Sequence, residues 1–230
     1  MEKDKLMGRG KLTFDWIPNN AERLLDIGCA SGEHTLYYLK KCNKVFGVDA
    51  NKDLIETANE RYPQIKFRVA NAESLPFAKN YFDVVVMNDV LEHVEDEKKS
   101  LDETHRVLKK DGIVILSSPN ISNCVARIYH LLTGKMWLFK TFTTDHINPI
   151  SYWEIERIFK ESGFVKCHLI EGVNVVENVS IVTKLSNPAS KAIYYLTFKS
   201  LDIIHDLVKK ENRKSKILFK SFSYITKAQK

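Results

Sequence analysis

A chain of 230 residues, 44% hydrophobic and 28% charged, has the length and balance of one globular domain with a sizeable core. It has no run of about eighteen apolar residues and no apolar core within MEKDKLMGRGKLTF, so neither a membrane-spanning helix nor a signal peptide is expected. The net charge is +6, and the four scattered cysteines lack a CxxC pair, which points away from a disulfide framework or zinc site and toward reduced thiols in a cytoplasmic protein.

In chain order, DKLMGRGKLTFDWI (4–17) reads as a leading helix that covers one edge of a site. RLLDIG (23–28), KVFGVD (44–49), IKFRVA (65–70), FDVVVMN (82–88) and GIVILSS (112–118) are short apolar runs rich in β-branched residues, the pattern of strands buried on both faces. Between them, SGEHTLYYLKKC (31–42), NKDLIETANERY (51–62) and EDEKKSLDETHRVLKKDG (95–112) have helical spacing and polar outer faces. This alternation predicts βαβ units, a parallel sheet and right-handed crossovers.

After ILSSPN the rhythm changes. SNCVARIYHLLTG (122–134) reads as a helix and KMWLFKTFTTDHINPIS (135–151) as an aromatic-rich loop. SYWEIERIFKESGF (151–164) is a helix with Ser151 as its cap, Glu154 three residues later and Gly163 at its end. VKCHLIEGVNVVE (165–177) and LFKSFSYITKA (218–228) read as two more strands, separated by helical sequence over 187–216. From Lys184 to Lys230 there are eleven Lys/Arg and three acids, which leaves 24 basic and 26 acidic residues before them. The basic character belongs to the tail. A solvated face is the plain explanation, and peripheral contact of 188–216 with an anionic membrane is the sharper one. Aromatics are not interleaved with the basic residues, so no nucleic-acid partner is expected.

The first strand ends in Asp26 and runs into a loop containing Gly28 and Gly32, followed by a helix. Glycines there let a ligand approach the backbone, and the helix start offers free N–H groups. Asp49 ends the second strand, where an acid can accept both hydroxyls of a ribose. The frame Gly28-Cys29-Ala30-Ser31-Gly32-Glu33 departs from G-x-G-x-x-G at Ala30 and Glu33, and Asp26 would repel a diphosphate. The ligand this loop fits carries a ribose, a cationic group and no phosphates.

LLDIGCASGEHTLYYL, VFGVDAN and NAESLPFAKNYFDVVVMNDVLEHVED resemble the ordered motifs of class I S-adenosylmethionine-dependent methyltransferases, in the methyltransferase type 11 or quinone-biosynthesis-like group. The resemblance covers roughly residues 20–120 as a set of motifs, which is far more specific than a lone glycine loop. It implies an α/β, Rossmann-like, mostly parallel seven-stranded sheet with helices on both faces, and S-adenosylmethionine as cofactor. It implies that Asp26, Gly28, Ala30 and Gly32 line the methionine half, although the family usually has Gly where Ala30 stands. Asp49, followed by Ala50, would hold the ribose; Asn71, Ala72 and Glu73 would flank the adenine; Asn88 and Val90 would close the site beneath it. The domain then reads as an N-terminal helix (1–20), a cofactor core (21–120), an acceptor lid region (121–163) and a basic helical insertion (184–216).

Methyl transfer to a hydroxyl needs a proton acceptor, and His146 and His93 are the candidate bases because imidazole titrates near neutrality. His34, at the start of a helix, reads as packed or solvated. Asp89, Glu92 and His93 have suitable donors for a metal, yet the same string occurs in relatives without one, and no metal is expected. Tyr129, Trp137, Phe139 and Phe142 could form an apolar lid or simply core. The expected reaction is O-methylation of a small-molecule or lipid- or glycan-linked acceptor. A non-catalytic S-adenosylmethionine-binding protein is the alternative, and a nicotinamide oxidoreductase the weaker third.

Overall fold

The computed structural model describes residues 8–121, 126–127, 130–131, 134, 146–148, 150–174 and 221–230. Helix α1 (Gly8–Trp16) precedes β1 (Ala21–Ile27), α2 (Glu33–Tyr38), β2 (Cys42–Asp49), α3 (Lys52–Arg61), β3 (Lys66–Val69) and β4 (Phe82–Asn88). A 3-10 turn (Leu91–His93), α4 (Glu97–Val107), β5 (Leu108–Pro119), α5 (Tyr152–Glu161), β6 (Val165–Asn174) and β7 (Ser221–Gln229) follow. Most of 122–145, including Tyr129, Trp137, Phe139 and Phe142, and the whole of 184–216 lie outside the described residues.

The strands form a seven-stranded sheet in the order β3-β2-β1-β4-β5-β7-β6. The β1–β2, β1–β4, β2–β3 and β4–β5 pairs are parallel, whereas β7 runs antiparallel to both β5 and β6. Strand side chains alternate between two cores. Leu24, Val84, Val86 and Ile115 pack on one face with residues of α2 and α3, and Leu25, Ile27, Val85 and Met87 on the other with residues of α4 and α5. That double burial is why β1, β4 and β5 read as apolar runs; β3, expected to be buried on both faces, lies at the sheet edge and buries only Phe67.

Local chemistry sets the helix limits. The side chains of Asn51, Asp96 and Ser151 accept backbone N–H bonds at the starts of α3, α4 and α5, so the predicted Ser151 cap is present. Gly163, just past α5, takes φ +85°. Helix α2 is shorter than its periodicity suggests. Leu39, Lys40 and Lys41 N–H groups bond carbonyls three residues back, a tighter turn that hands the chain to β2 at Cys42. β5 begins at Leu108, not Gly112 as expected, because Leu108 is fully buried opposite Phe82 and Lys109 reaches Asp83 Oδ1 at 2.7 Å. Asp111, at φ +64°, then absorbs the register shift that restarts pairing at Ile113 and Val84.

Candidate functional site

Strand order reverses between β1 and β4, and in open α/β sheets ligands bind at the carboxyl ends beside such a switch. A cleft of about 320 Å³ lies there, lined by Asp26, Gly28, Ala30 and Asn88 of the expected set together with Gly10, Tyr38 and Asp89. A larger hollow of about 540 Å³, bounded by Trp16, Lys166 and Gln229, has no glycine turn and no carboxylate. The smaller cleft therefore has the chemistry.

The loop after β1 is held by the strand beside it. Gly28 and Cys29 N–H groups both donate to the Val48 carbonyl, at 2.8 and 3.1 Å. Gly28 has φ +72°, and a Cβ there would stand 2.6 Å from Val90 Cγ2; Gly32 has φ +80°, and its Cβ would stand 2.7 Å from Phe67 Cζ. Both glycines are thus required by backbone conformation and by close approach. Ala30 takes φ +46° in spite of its methyl, and its N–H donates to Asp49 Oδ2 at 2.9 Å. Asp49 Oδ1 accepts from Asn51 N–H at 2.9 Å, so this carboxylate braces the loop while each oxygen keeps a further lone pair. Ala50 beside it is exposed.

Asp26 is 4% exposed and accepts Thr35 Oγ1–H at 2.6 Å. Burial pushes its carboxyl up to about 7; the Thr35 bond opposes the rise and the nearby Asp49 charge adds to it. Burial likewise raises the Cys29 thiol and the Tyr38 phenol. A carboxylate so poorly solvated is stabilised by a cation placed against it.

At the end of β4, Asn88 is tied from three sides. Thr13 of α1 and Ser117 of β5 donate to its Oδ1 at 2.8 and 3.2 Å, and its Nδ2 donates to Tyr38 Oη at 3.2 Å. Thr13 is fully buried, which fixes the expected leading helix over the cleft. Thr13, Thr35 and Tyr38 were not singled out from the sequence. Their partners are distant along the chain, and no local pattern marks them.

The turn after β3 is joined to Asp49 through the Ala70 N–H bond to the Asp49 carbonyl, 2.9 Å long. Asn71 Oδ1 accepts the Glu73 N–H at 2.9 Å, folding its own turn, and Ala72 is buried. Glu73 Oε1 accepts the N–H groups of Glu95 and Asp96 at 2.9 and 3.2 Å, which commits its carboxylate to the start of α4.

His93 and His146 come together, with ring centroids 4.7 Å apart at 76°. Neither ring lines the cleft; the pair sits on the turn that follows Asp89, which does line it. Glu92 is 1% exposed, and its carboxylate and the two imidazoles offer donor atoms within 4.8 Å of one another. Asp89, weighed with Glu92 and His93 from the sequence, instead accepts Ser117 Oγ–H at 3.2 Å and takes φ +54°. His34 is exposed at the mouth of the cleft.

The residues present fit S-adenosylmethionine: a buried carboxylate for a cation, a turn that only glycines permit, and a strand-end acid with lone pairs to spare. Among known proteins, the family described as "methyltransferase domain" matches residues 25–116. An uncharacterized protein of Methanocaldococcus jannaschii is 32% identical over 142 residues, 62% of this chain, and the chain spans 64% of that relative's length. The ubiquinone/menaquinone biosynthesis C-methyltransferase of Rickettsia prowazekii is 28% identical over 178 residues, covering 66% of this chain and 72% of that one. The crystal structure of the YcgJ protein from Bacillus subtilis superimposes with a TM-score of 0.61 at 22% identity, covering 96% of this chain and 94% of that one. That last likeness is one of fold. Among the described residues, no helix is long and apolar enough to cross a membrane. The motif order and the strand order agree with the domain match, and residues 25–116 are similar to the methyltransferase domain, within a fold shared with the YcgJ protein.

Proposed function

We propose that this chain transfers a methyl group from S-adenosylmethionine to a ring carbon of a small hydroquinone-type acceptor. The sequence reading placed the methyl on oxygen. The relative named as a C-methyltransferase of ubiquinone and menaquinone biosynthesis favours carbon, and the acceptor class is taken from that name. The observation that carries the cofactor assignment is buried Asp26 beside the Gly28–Gly32 turn, a site suited to a cation and hostile to a diphosphate.

In this reading Asp26 and the turn through Gly28, Ala30 and Gly32 would hold the methionine half, and Asp49 the ribose. The Asn71–Glu73 turn, with Asn88 and Val90, would hold the adenine. The bound cofactor supplies an electrophilic methyl on a sulfonium. The chain's own contribution is alignment of the acceptor and removal of its hydroxyl proton, which raises electron density on the neighbouring ring carbon. Once that carbon carries the methyl, its own C–H proton leaves and the hydroxyl is re-protonated, so one proton is released overall. His146 and His93 are the proposed proton acceptors. An acceptor with a prenyl tail would draw on Tyr129, Trp137, Phe139 and Phe142, if they form the expected lid, and on the basic 188–216 stretch, and co-sedimentation with anionic vesicles at low salt tests that part.

Calorimetry with S-adenosylmethionine, S-adenosylhomocysteine and NAD, followed by turnover of a dithionite-reduced, short-chain demethylmenaquinone, tests the whole. The expected result is binding of both sulfur ligands, none of NAD, and a carbon-methylated product. NAD binding without S-adenosylmethionine binding refutes the cofactor assignment. Methylation on oxygen alone restores the first expectation and refutes carbon.

A further inference from the structure

Asp26 enters the cleft from the middle of the sheet. Its strand neighbours in register are Gly47 of β2 and Val86 of β4, neither of which has a polar side chain. Among the described residues, its carboxylate accepts one hydrogen bond, from the Thr35 hydroxyl at 2.6 Å. Thr35 belongs to α2 and is fully buried, so solvent does not compete for that hydroxyl. Asp26 lines the cleft and Thr35 stands behind it, so whatever Thr35 does for a ligand passes through the carboxylate.

We propose that Thr35 is a positioning residue, whose hydroxyl fixes the Asp26 carboxylate and keeps it ionised for the cationic group of a ligand. The inference rests on the proposed function for the identity of that ligand; the state of the carboxylate does not depend on it. A hydroxyl that donates to a carboxylate makes a charge-assisted bond, which favours the charged form. The surroundings favour the neutral one. Burial and the Asp49 charge both push the Asp26 carboxyl up, and the Thr35 bond opposes them. Burial also raises the Cys29 thiol and the Tyr38 phenol, which leaves both groups neutral beside it. Glu33, His34 and Asp89 line the same cleft, and Glu33 pairs with Arg61 at 3.1 Å. Helix α1 brings Gly10 to the cleft, a residue without charge.

The test uses the full chain with Thr35→Val, which keeps the shape and removes the donor, Thr35→Ser, which keeps the donor, and Asp26→Asn. Carbon-13 NMR of labelled aspartate, with Asp26→Asn as the assignment, reads the Asp26 titration without ligand. Thr35→Val is expected to raise its midpoint by about 1–2 pH units, the worth of one hydrogen bond to a charged group, and Thr35→Ser to keep it within about 0.5. Calorimetry with S-adenosylhomocysteine reads affinity, and comparing chains at one pH cancels the titration of the ligand and of His34. With binding confined to the ionised form and a wild-type midpoint of about 7, Thr35→Val should bind roughly 3- to 25-fold more weakly at pH 7.5, and within about twofold of wild type at pH 9. Added to Asp26→Asn, Thr35→Val should change Kd by less than about twofold. A midpoint that stays in place in Thr35→Val refutes the proposal. An affinity loss of equal size at both pH values, or one that persists in Asp26→Asn, refutes it too, because either denotes packing alone. Should the valine variant not fold, Thr35→Cys, with its weak S–H donor, supplies the same readings. If the wild-type chain binds neither S-adenosylmethionine nor S-adenosylhomocysteine, the cofactor assignment fails while the NMR midpoint still decides what Thr35 does to Asp26.

Discussion

Replacing Asp26 with Asn separates what this residue costs the fold from what it gives the site. Its carboxyl moves from 3.8 to about 7 chiefly through burial, so the folded chain binds a proton there more tightly than the unfolded chain does. A raised carboxyl contributes stability that is complete below pH 3.8 and is lost as pH climbs through 7. With those two values, the penalty for folding is roughly 2 kcal/mol at pH 5 and roughly 4 kcal/mol at pH 8.5. Asparagine keeps an oxygen for the Thr35 hydroxyl and carries no charge to desolvate. The stability gained on Asp26→Asn, measured by urea unfolding without cofactor, should therefore grow by roughly 2–3 kcal/mol between pH 5 and pH 8.5. Cofactor affinity should move the other way: loss of one partner from a buried charge pair costs about 2–5 kcal/mol, or roughly 30- to several-thousand-fold in Kd. A variant less stable than wild type at pH 8.5, or one whose stability gain does not change with pH, refutes the claim that an uncompensated charge sits at Asp26.

Three other substitutions probe the scaffold of the cleft. Gly28→Ala meets both a φ of +72° and Val90 Cγ2 at 2.6 Å, and should cost about 2–5 kcal/mol in urea unfolding; Val90→Ala in the same chain should recover about 1–2 kcal/mol of it, and additive effects would refute the clash. Ala30→Gly relieves a left-handed alanine at φ +46°, so stability should change by less than about 1 kcal/mol as relief offsets added chain entropy, and a larger loss would show that the methyl packs. Arg106→Met removes donors to the Phe77 and Leu75 carbonyls at 2.7 and 2.9 Å and to Glu103, and should lower stability by about 2–4 kcal/mol; thermal unfolding checks it, and a loss below about 0.5 kcal/mol would mean that water replaces those bonds.

The Val84–Met87 run of β4 was legible because burial on both faces leaves it no polar position. The cofactor loop was legible because Gly28, Gly32 and Asp49 answer local backbone demands that leave marks in sequence. Where the outcome turned on distant partners, local pattern misled. Leu108-Lys109-Lys110-Asp111 continues a helical rhythm, yet burial of Leu108 opposite Phe82 and the Lys109–Asp83 ion pair draw it into β5. The bonds that Glu73 accepts from the Glu95 and Asp96 N–H groups, 22 and 23 residues on, are likewise contacts that no spacing rule marks. The partnership of His93 with His146 is of the same kind, created by main-chain bonds from Ile147 and Asn148 to Glu92.

Mutation at the glycine-loop end of the cleft therefore acts on the fold as well as on the site. At the donor end the loop is bonded to Val48 and Asp49, its glycines abut Val90 and Phe67, and Thr13 and Thr35 lie fully buried against Asn88 and Asp26. Those groups also belong to the core, so a substitution there changes folding and affinity together, and an affinity loss alone does not identify a ligand contact. Ile147 and Asn148 bond the Glu92 and Val94 carbonyls, and Ile150, two residues on, is buried in the core. In the proposed reading, a cation and a ribose would be held by groups that the sheet must position in order to fold.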